Sequence, residues 1–218
     1  MAKIDLRLVA ALLAIVFPAT GYAQEPSAHA LARQDLEAKI HYCKDCHGQS
    51  GQGFSGAHPI PRLAGQTIAY LKGKFQVITE HKEDNPTAET FMAPVLGSVD
   101  PIITEGVASH FSTLNPPPAS DGPQELVTAG KKIYEEGILD ANVPACAACH
   151  GPDAKGVDQN PRLAGQVYRY TLNVLMNWHK AHAKNPPAEG PLAGKSANAH
   201  SLTQPQVEAV AAFLSHQK

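Results

Sequence analysis

Apolar residues recur at helical spacing along most of this chain, and no stretch alternates as a half-buried strand would. Leu36 and Ile40 lie four apart in a segment from Leu31 to Tyr42. After Gly65, Ile68, Leu71, Phe75 and Ile78 follow at spacings of 3, 4 and 3, the apolar stripe of an amphipathic helix. Asp100-Pro101 joins an N-cap acceptor to a proline suited to the first helical position. It opens a helix with Ile103, Val107 and Phe111 or Leu114 on its apolar face. The second half runs through the same sequence of elements. Ala129 to Glu136 is a short helix, and Gly165 to Ala183 carries Tyr168, Leu175 and Trp178 in place of Ile68, Phe75 and Ile78. Thr203 then caps a last helix with Val207, Val210 and Leu214. The pattern predicts an all-α fold.

The parallel between the halves extends to identity. Pro61-Arg62-Leu63-Ala64-Gly65-Gln66 recurs as Pro161-Arg162-Leu163-Ala164-Gly165-Gln166, and Asn85-Pro86-Thr87-Ala88-Glu89 recurs as Asn185-Pro186-Pro187-Ala188-Glu189. The chain is a tandem duplication. Its boundary is the stretch from Asn115 to Pro123, where prolines remove backbone donors and fix φ, so regular helix cannot form. A spacer of this composition is semi-rigid and holds the two halves in a defined relation.

The first residues have a different character. Lys3 and Arg7 precede an apolar run from Leu8 to Phe17, followed by Gly21-Tyr22-Ala23. This reads as a signal peptide cleaved after Ala23, because the run is shorter than the ~20 residues a membrane span needs. No later segment is apolar and long enough to span. The expected product is an exported, periplasmic protein of two domains, 24–114 and 124–218, joined by the linker 115–123. The chain carries a net charge of −2, and residues 1–23 contribute Lys3 and Arg7 against Asp5, so the remainder carries −3. Such a balance excludes nucleic acid as a partner, which would require a basic surface.

All four cysteines fall in two short motifs, Cys43-Lys44-Asp45-Cys46-His47 and Cys146-Ala147-Ala148-Cys149-His150. Cys-x-x-Cys-His reads as a c-type haem attachment site. Two thiols so spaced match the porphyrin edge, and the adjacent histidine becomes the proximal iron ligand. A four-thiolate zinc site or a thiol–disulfide centre needs no histidine after the second cysteine, yet both copies have one. Domains of about 100 residues bury limited surface, and two covalent haems would give each a large apolar body to pack around. The cofactors expected are two haem c.

Two haem motifs, the doubled Pro-Arg-Leu-Ala-Gly-Gln segment and a terminal helix in each half resemble the dihaem cytochrome c4 family over essentially the whole mature chain. The resemblance implies two tandem all-α cytochrome c domains, each packed around one covalent haem, that carry electrons between redox protein partners such as a membrane-bound oxidase or reductase. It also implies that the Pro61 and Pro161 carbonyls accept a hydrogen bond from the proximal histidine Nδ1–H, which raises its basicity. By the same analogy Arg62 and Arg162 lie near haem propionates; the alternative for each is an ordinary surface arginine.

Met92 lies 45 residues after His47 and eight before Asp100, in the loop where the family places the sixth ligand of the first haem. The second half breaks this rule. Counted from the repeated segments, Leu192 stands where Met92 is expected, whereas counting back from Thr203 lands on Lys195. Lys195, as a neutral amine, and His200 are the ligand candidates, with an open or water-bound iron as the third option. Met176 reads as surface or interface packing. His179 and His182 read as solvated or capping, and His29, His41, His58, His81, His110 and His216 as mostly solvated. The electron carrier is therefore weighed against a dihaem oxidoreductase, for instance one acting on sulfur compounds, and against a gas sensor. No other catalytic constellation accompanies the missing methionine.

Overall fold

The computed structural model describes residues 28–80, 86–97, 99–182 and 202–218. The expected leader and cleavage site, Leu192, Lys195 and His200 lie outside the described residues, as do His81 and the side chains of Trp178, His179 and His182. Among the described residues, the first half holds four helices: α1 (Ala28–His47), α2 (Ile68–Thr79), α3 (Pro86–Leu96) and α4 (Pro101–Ser112). The second half supplies α5 (Val127–Glu136), α6 (Ala147–His150), α7 (Tyr168–His182) and α8 (Gln204–His216). Among the described residues only isolated β-bridges occur, Phe54 with Ile60, Ile138 with Val143 and Val157 with Asn160. No helix there is long and apolar enough to cross a membrane.

Helix starts follow local chemistry. The Thr67 hydroxyl accepts from Tyr70 N–H, and the Asp100 carboxylate accepts from Ile102 N–H with Pro101 at the first helical position. Gln206 reaches back to Thr203 N–H, the reciprocal arm of a capping box. The first-half core joins Ile40 of α1, Leu71, Phe75 and Ile78 of α2, Ala93 and Leu96 of α3, and Val107, Ala108 and Phe111 of α4. The second-half core joins Tyr134 of α5 to Val210, Phe213 and Leu214 of α8, with Ala154 and Ala164 between.

Several expectations need correction. The stripe of α2 begins at Leu71, since Ile68 lies in the first helical turn and is 40% exposed. Helix α1 was expected to Tyr42 and runs on through the first haem motif to His47, whereas α5 ends at Glu136 as expected and a short 3-10 turn, Leu139–Ala141, separates it from α6. Gly137 has φ +73, and a Cβ there would meet the Val143 carbonyl oxygen at 2.3 Å, so the chain turns back where α1 continues. Helix α8 was expected to bury one face. It buries Val207 and every residue from Ala209 to Ser215, because α5 and α7 pack against it and the linker covers its end.

The linker is fixed by its backbone. Ala119 N–H donates to the Gly165 carbonyl (3.2 Å), and Ser120 N–H to that of Ser215 (2.8 Å). Asp121 accepts from Tyr168 N–H (2.9 Å). His216 is not solvated as expected, since its Nε2 bonds the Gly122 carbonyl at 2.9 Å.

Candidate functional site

Each haem motif is held in the same cage of backbone hydrogen bonds. Leu63 and Ala64 N–H both donate to the Gly51 carbonyl, as Leu163 and Ala164 do to that of Ala154. Gly65 N–H donates to the Phe111 carbonyl, and Gly165 N–H to that of Leu214. The hexapeptide is thus clamped between the loop after the motif and the last helix of its own half. The copies differ between the bridges: Phe54 to Ile60 spans three residues more than Val157 to Asn160. That difference is why the haem motifs are offset by 103 residues but the hexapeptides by 100.

The clamp positions the histidines. His47 Nδ1 lies 2.8 Å from the Pro61 carbonyl and His150 Nδ1 lies 2.9 Å from that of Pro161. A carbonyl only accepts, so the proton sits on Nδ1 and the lone pair on Nε2, the ligating form of imidazole. Burial lowers the His47 pKa, partly opposed by the Pro61 bond, and keeps the ring neutral.

The surroundings fit a covalent haem. All four cysteines are free, and burial pushes the Cys43 thiol up and the Cys146 thiol up to about 11. Cys43 and Met92 both pack against the first-half core, beside an apolar slot lined by Tyr42, Phe75, Val95, Leu96 and Val107. Cys146 packs likewise against the second core. Met92 does not sit in a loop as expected. It lies on α3, whose helical turns continue to Leu96 despite Pro94. Met176 is 38% exposed.

Arg62 and Arg162 are not surface arginines, being 2% and 7% exposed. Arg62 donates through Nε to the Ala64 carbonyl (3.0 Å) and through its two Nη atoms to the linker carbonyls of Pro117 (2.9 Å) and Pro116 (3.0 Å). Arg162 Nε donates to the Ala164 carbonyl (3.0 Å). Burial and the like charge of Arg162 bring the Arg62 pKa down to about 10, so it stays a cation at neutral pH. Arg162 is lowered by burial, opposed by Asp153.

The sequence reading missed two residues of the repeated segment. Gln66 Oε1 accepts from Arg162 N–H (2.9 Å) and its Nε2 donates to the Arg162 carbonyl (2.8 Å). Gln166 does the same to Arg62, at 2.7 and 3.3 Å. The hexapeptides therefore pair with each other across the boundary between the halves, and Thr67 Oγ1 adds a bond to the Asp158 carbonyl. Their identity was visible in the repeat, but a cofactor role explained it equally well.

The cytochrome c family model matches residues 127–218. A cytochrome c4 of Stutzerimonas stutzeri is 30% identical over 194 residues, covering 84% of this chain and 89% of the relative. A thiosulfate dehydrogenase electron acceptor of Stutzerimonas stutzeri (strain A1501) is 31% identical over 177 residues, covering 80% and 78%. Among solved structures, the cytochrome c4 of Acidithiobacillus ferrooxidans superposes with a TM-score of 0.68 at 32% identity, covering 80% of this chain and 97% of that one. With its two haem motifs and its duplicated helical halves, this chain belongs to the dihaem cytochrome c4 family, c-type cytochromes that carry electrons on two haem c groups.

Proposed function

We propose that the protein is a periplasmic electron carrier in which residues 24–114 and 124–218 each hold one haem, joined by the linker 115–123. When bound, the haems supply one-electron exchange at iron. Cys43 and Cys46 attach one through thioethers, and Cys146 and Cys149 attach the other. His47 and His150 provide the proximal nitrogens, oriented by Pro61 and Pro161. Met92 provides the sixth ligand in the first half, and Lys195 or His200 the sixth in the second. Arg62 and Arg162 place positive charge beside the bound groups. A thioether ligand raises the potential of its iron relative to a nitrogen ligand, so electrons at equilibrium rest on the Met92 side.

The observation that carries this reading is the reciprocal pairing of Gln66 and Gln166 with the backbones of Arg162 and Arg62. It fixes against each other the two segments whose proline carbonyls hold His47 and His150, as a relay between two irons requires. Redox protein partners follow from the activity. The likeness to an electron acceptor of thiosulfate dehydrogenase supports a sulfur-oxidising donor enzyme on one side, with a membrane-bound oxidase or reductase on the other.

Near-infrared magnetic circular dichroism of the oxidised holoprotein tests the ligand sets. The expected spectrum has one His/Met haem and one low-spin haem with two nitrogen ligands, and His200→Ala and Lys195→Ala then identify the second nitrogen. A high-spin second haem would replace the carrier with the oxidoreductase reading, in which that iron is open to substrate.

A further inference from the structure

Each proximal histidine is joined to the opposite half through a single peptide group. The Pro61–Arg62 peptide accepts from His47 Nδ1–H at its carbonyl (2.8 Å) and donates its N–H to Gln166 Oε1 (2.7 Å). The Pro161–Arg162 peptide accepts from His150 Nδ1–H (2.9 Å) and donates to Gln66 Oε1 (2.9 Å). The amide orientations are fixed, because each Oε1 faces an N–H and each Nε2 faces the carbonyl of the same arginine. Gln66 and Gln166 are 4% and 5% exposed, so water does not compete for these bonds.

We propose that Gln66 and Gln166 are positioning residues that tune the iron of the opposite half. An acceptor on a peptide N–H polarises that peptide and makes its carbonyl a stronger acceptor, by about 10–30% per bond. The histidine bonded to that carbonyl becomes more basic. A more basic ligand favours the oxidised iron and lowers its potential. Gln166 therefore holds down the potential of the His47 haem, and Gln66 that of the His150 haem. The inference rests on His47 and His150 being the proximal ligands.

The test uses holoprotein carrying Gln166→Leu or Gln66→Leu. The two reduction potentials are followed separately by NMR of the haem methyl groups, and the Nδ1–H resonances of His47 and His150 are recorded in the reduced state. Gln166→Leu should shift the one-electron equilibrium of the His47 haem two- to threefold towards reduction. At 59 mV per tenfold this is a rise of roughly 18–28 mV. The His47 Nδ1–H resonance should move upfield, with the His150 haem changed less. Gln66→Leu should give the mirror image. Gln166→Glu keeps the acceptor oxygen and makes it more negative, so the His47 resonance should move downfield of its wild-type position, which a purely structural role for the interface would not produce.

Equal shifts at both haems, or a shift confined to the half that carries the substitution, would overturn the tuning while leaving the ligand reading intact. Wild-type spectra without His47 and His150 as ligands would overturn that reading first. Should the leucine variants fail to assemble, the two Gln→Glu variants decide by their histidine resonances: a downfield shift of the opposite histidine supports the tuning, and no change there refutes it.

Discussion

Helices α5 and α8 touch at Gly130. A Cβ added there would lie 1.9 Å from the Ala209 carbonyl oxygen, 2.5 Å from its carbon and 2.8 Å from Phe213 Cβ. Ordinary C···O contacts begin at about 3.3 Å, so Gly130→Ala requires the helices to part by about 1.4 Å. The obstacle is backbone on α8, and no rotamer change relieves it. Overpacking of this kind costs about 3 kcal/mol, while alanine recovers about 1 kcal/mol of helix propensity, leaving a net loss of about 2 kcal/mol. Two other helical glycines calibrate the measurement. At Gly106 the three atoms nearest the added one all belong to the Leu36 side chain, the first at 2.7 Å, and that side chain can turn away. At Gly73 it meets nothing within 4 Å, so Gly73→Ala should stabilise by about 0.5–1 kcal/mol. Urea unfolding of the three holoprotein variants, followed by far-ultraviolet circular dichroism, should rank them Gly130→Ala least stable, Gly106→Ala intermediate and Gly73→Ala above wild type. A Gly130→Ala protein as stable as Gly106→Ala would show that α5 and α8 do not cross at that residue.

Three further substitutions probe single features. Met92→Ala should lower the higher of the two potentials and leave the other nearly unchanged in a redox titration; movement of both together would remove Met92 as the first-half ligand. Tyr134 is fully buried and its hydroxyl donates to the Gly151 carbonyl at 2.5 Å, so Tyr134→Phe should cost about 1 kcal/mol in denaturant unfolding by removing that bond and leaving the carbonyl only the longer one from Ala154 N–H (3.2 Å). The pKa of His110 is lowered by burial first and then by Lys44 and His41, and its Nε2 has no hydrogen-bond partner. Protons then bind the unfolded chain more tightly, so stability is full above the ordinary histidine value of about 6.5 and is lost as pH falls below it. His110→Leu should reduce that acid-side slope, and an unchanged slope between pH 7 and 5 would show that His110 does not titrate on unfolding.

Helix identity was legible because apolar spacing reports a face that must be buried: Leu71, Phe75 and Ile78, or Val207, Val210 and Leu214, read directly as core. What spacing does not report is how many partners a helix has. Ala209, Ala211 and Ala212 are small enough to be silent in an apolar pattern, yet they are buried because α5, α7 and the linker close on α8 from different sides. Helix ends were read unevenly: α5 ends at Glu136 as its segment did, whereas α1, read to Tyr42, runs on through the haem motif to His47. Of the site, the Cys-x-x-Cys-His motifs were legible because their spacing is set by local chemistry, and the proline carbonyls only through the family resemblance. The role of His216 was not, because its partner, Gly122, is 94 residues away in the chain. Gln66 and Gln166 pair over 96 and 104 residues, and nothing in either hexapeptide alone indicates the other.

The pairing explains where the two halves are free to differ. Proline carries the histidine bond, arginine the linker contact in the first half, leucine and alanine the clamp to the loop after the haem motif, glycine the clamp to the last helix, and glutamine the bond to the opposite copy. A substitution in one hexapeptide therefore disturbs its own histidine, its own clamp and the other half together. Among the described residues, α3, which lies between α2 and the last helix of the first half, supplies none of these bonds. Counting back from the caps Asp100 and Thr203 shows three residues added there in the second copy, and methionine gives way to other side chains. On the proposed ligand assignment, divergence at the sixth ligand with identity at the proximal side is what this division of contacts allows, and it would let one fold hold two irons at different potentials without altering the joint between them.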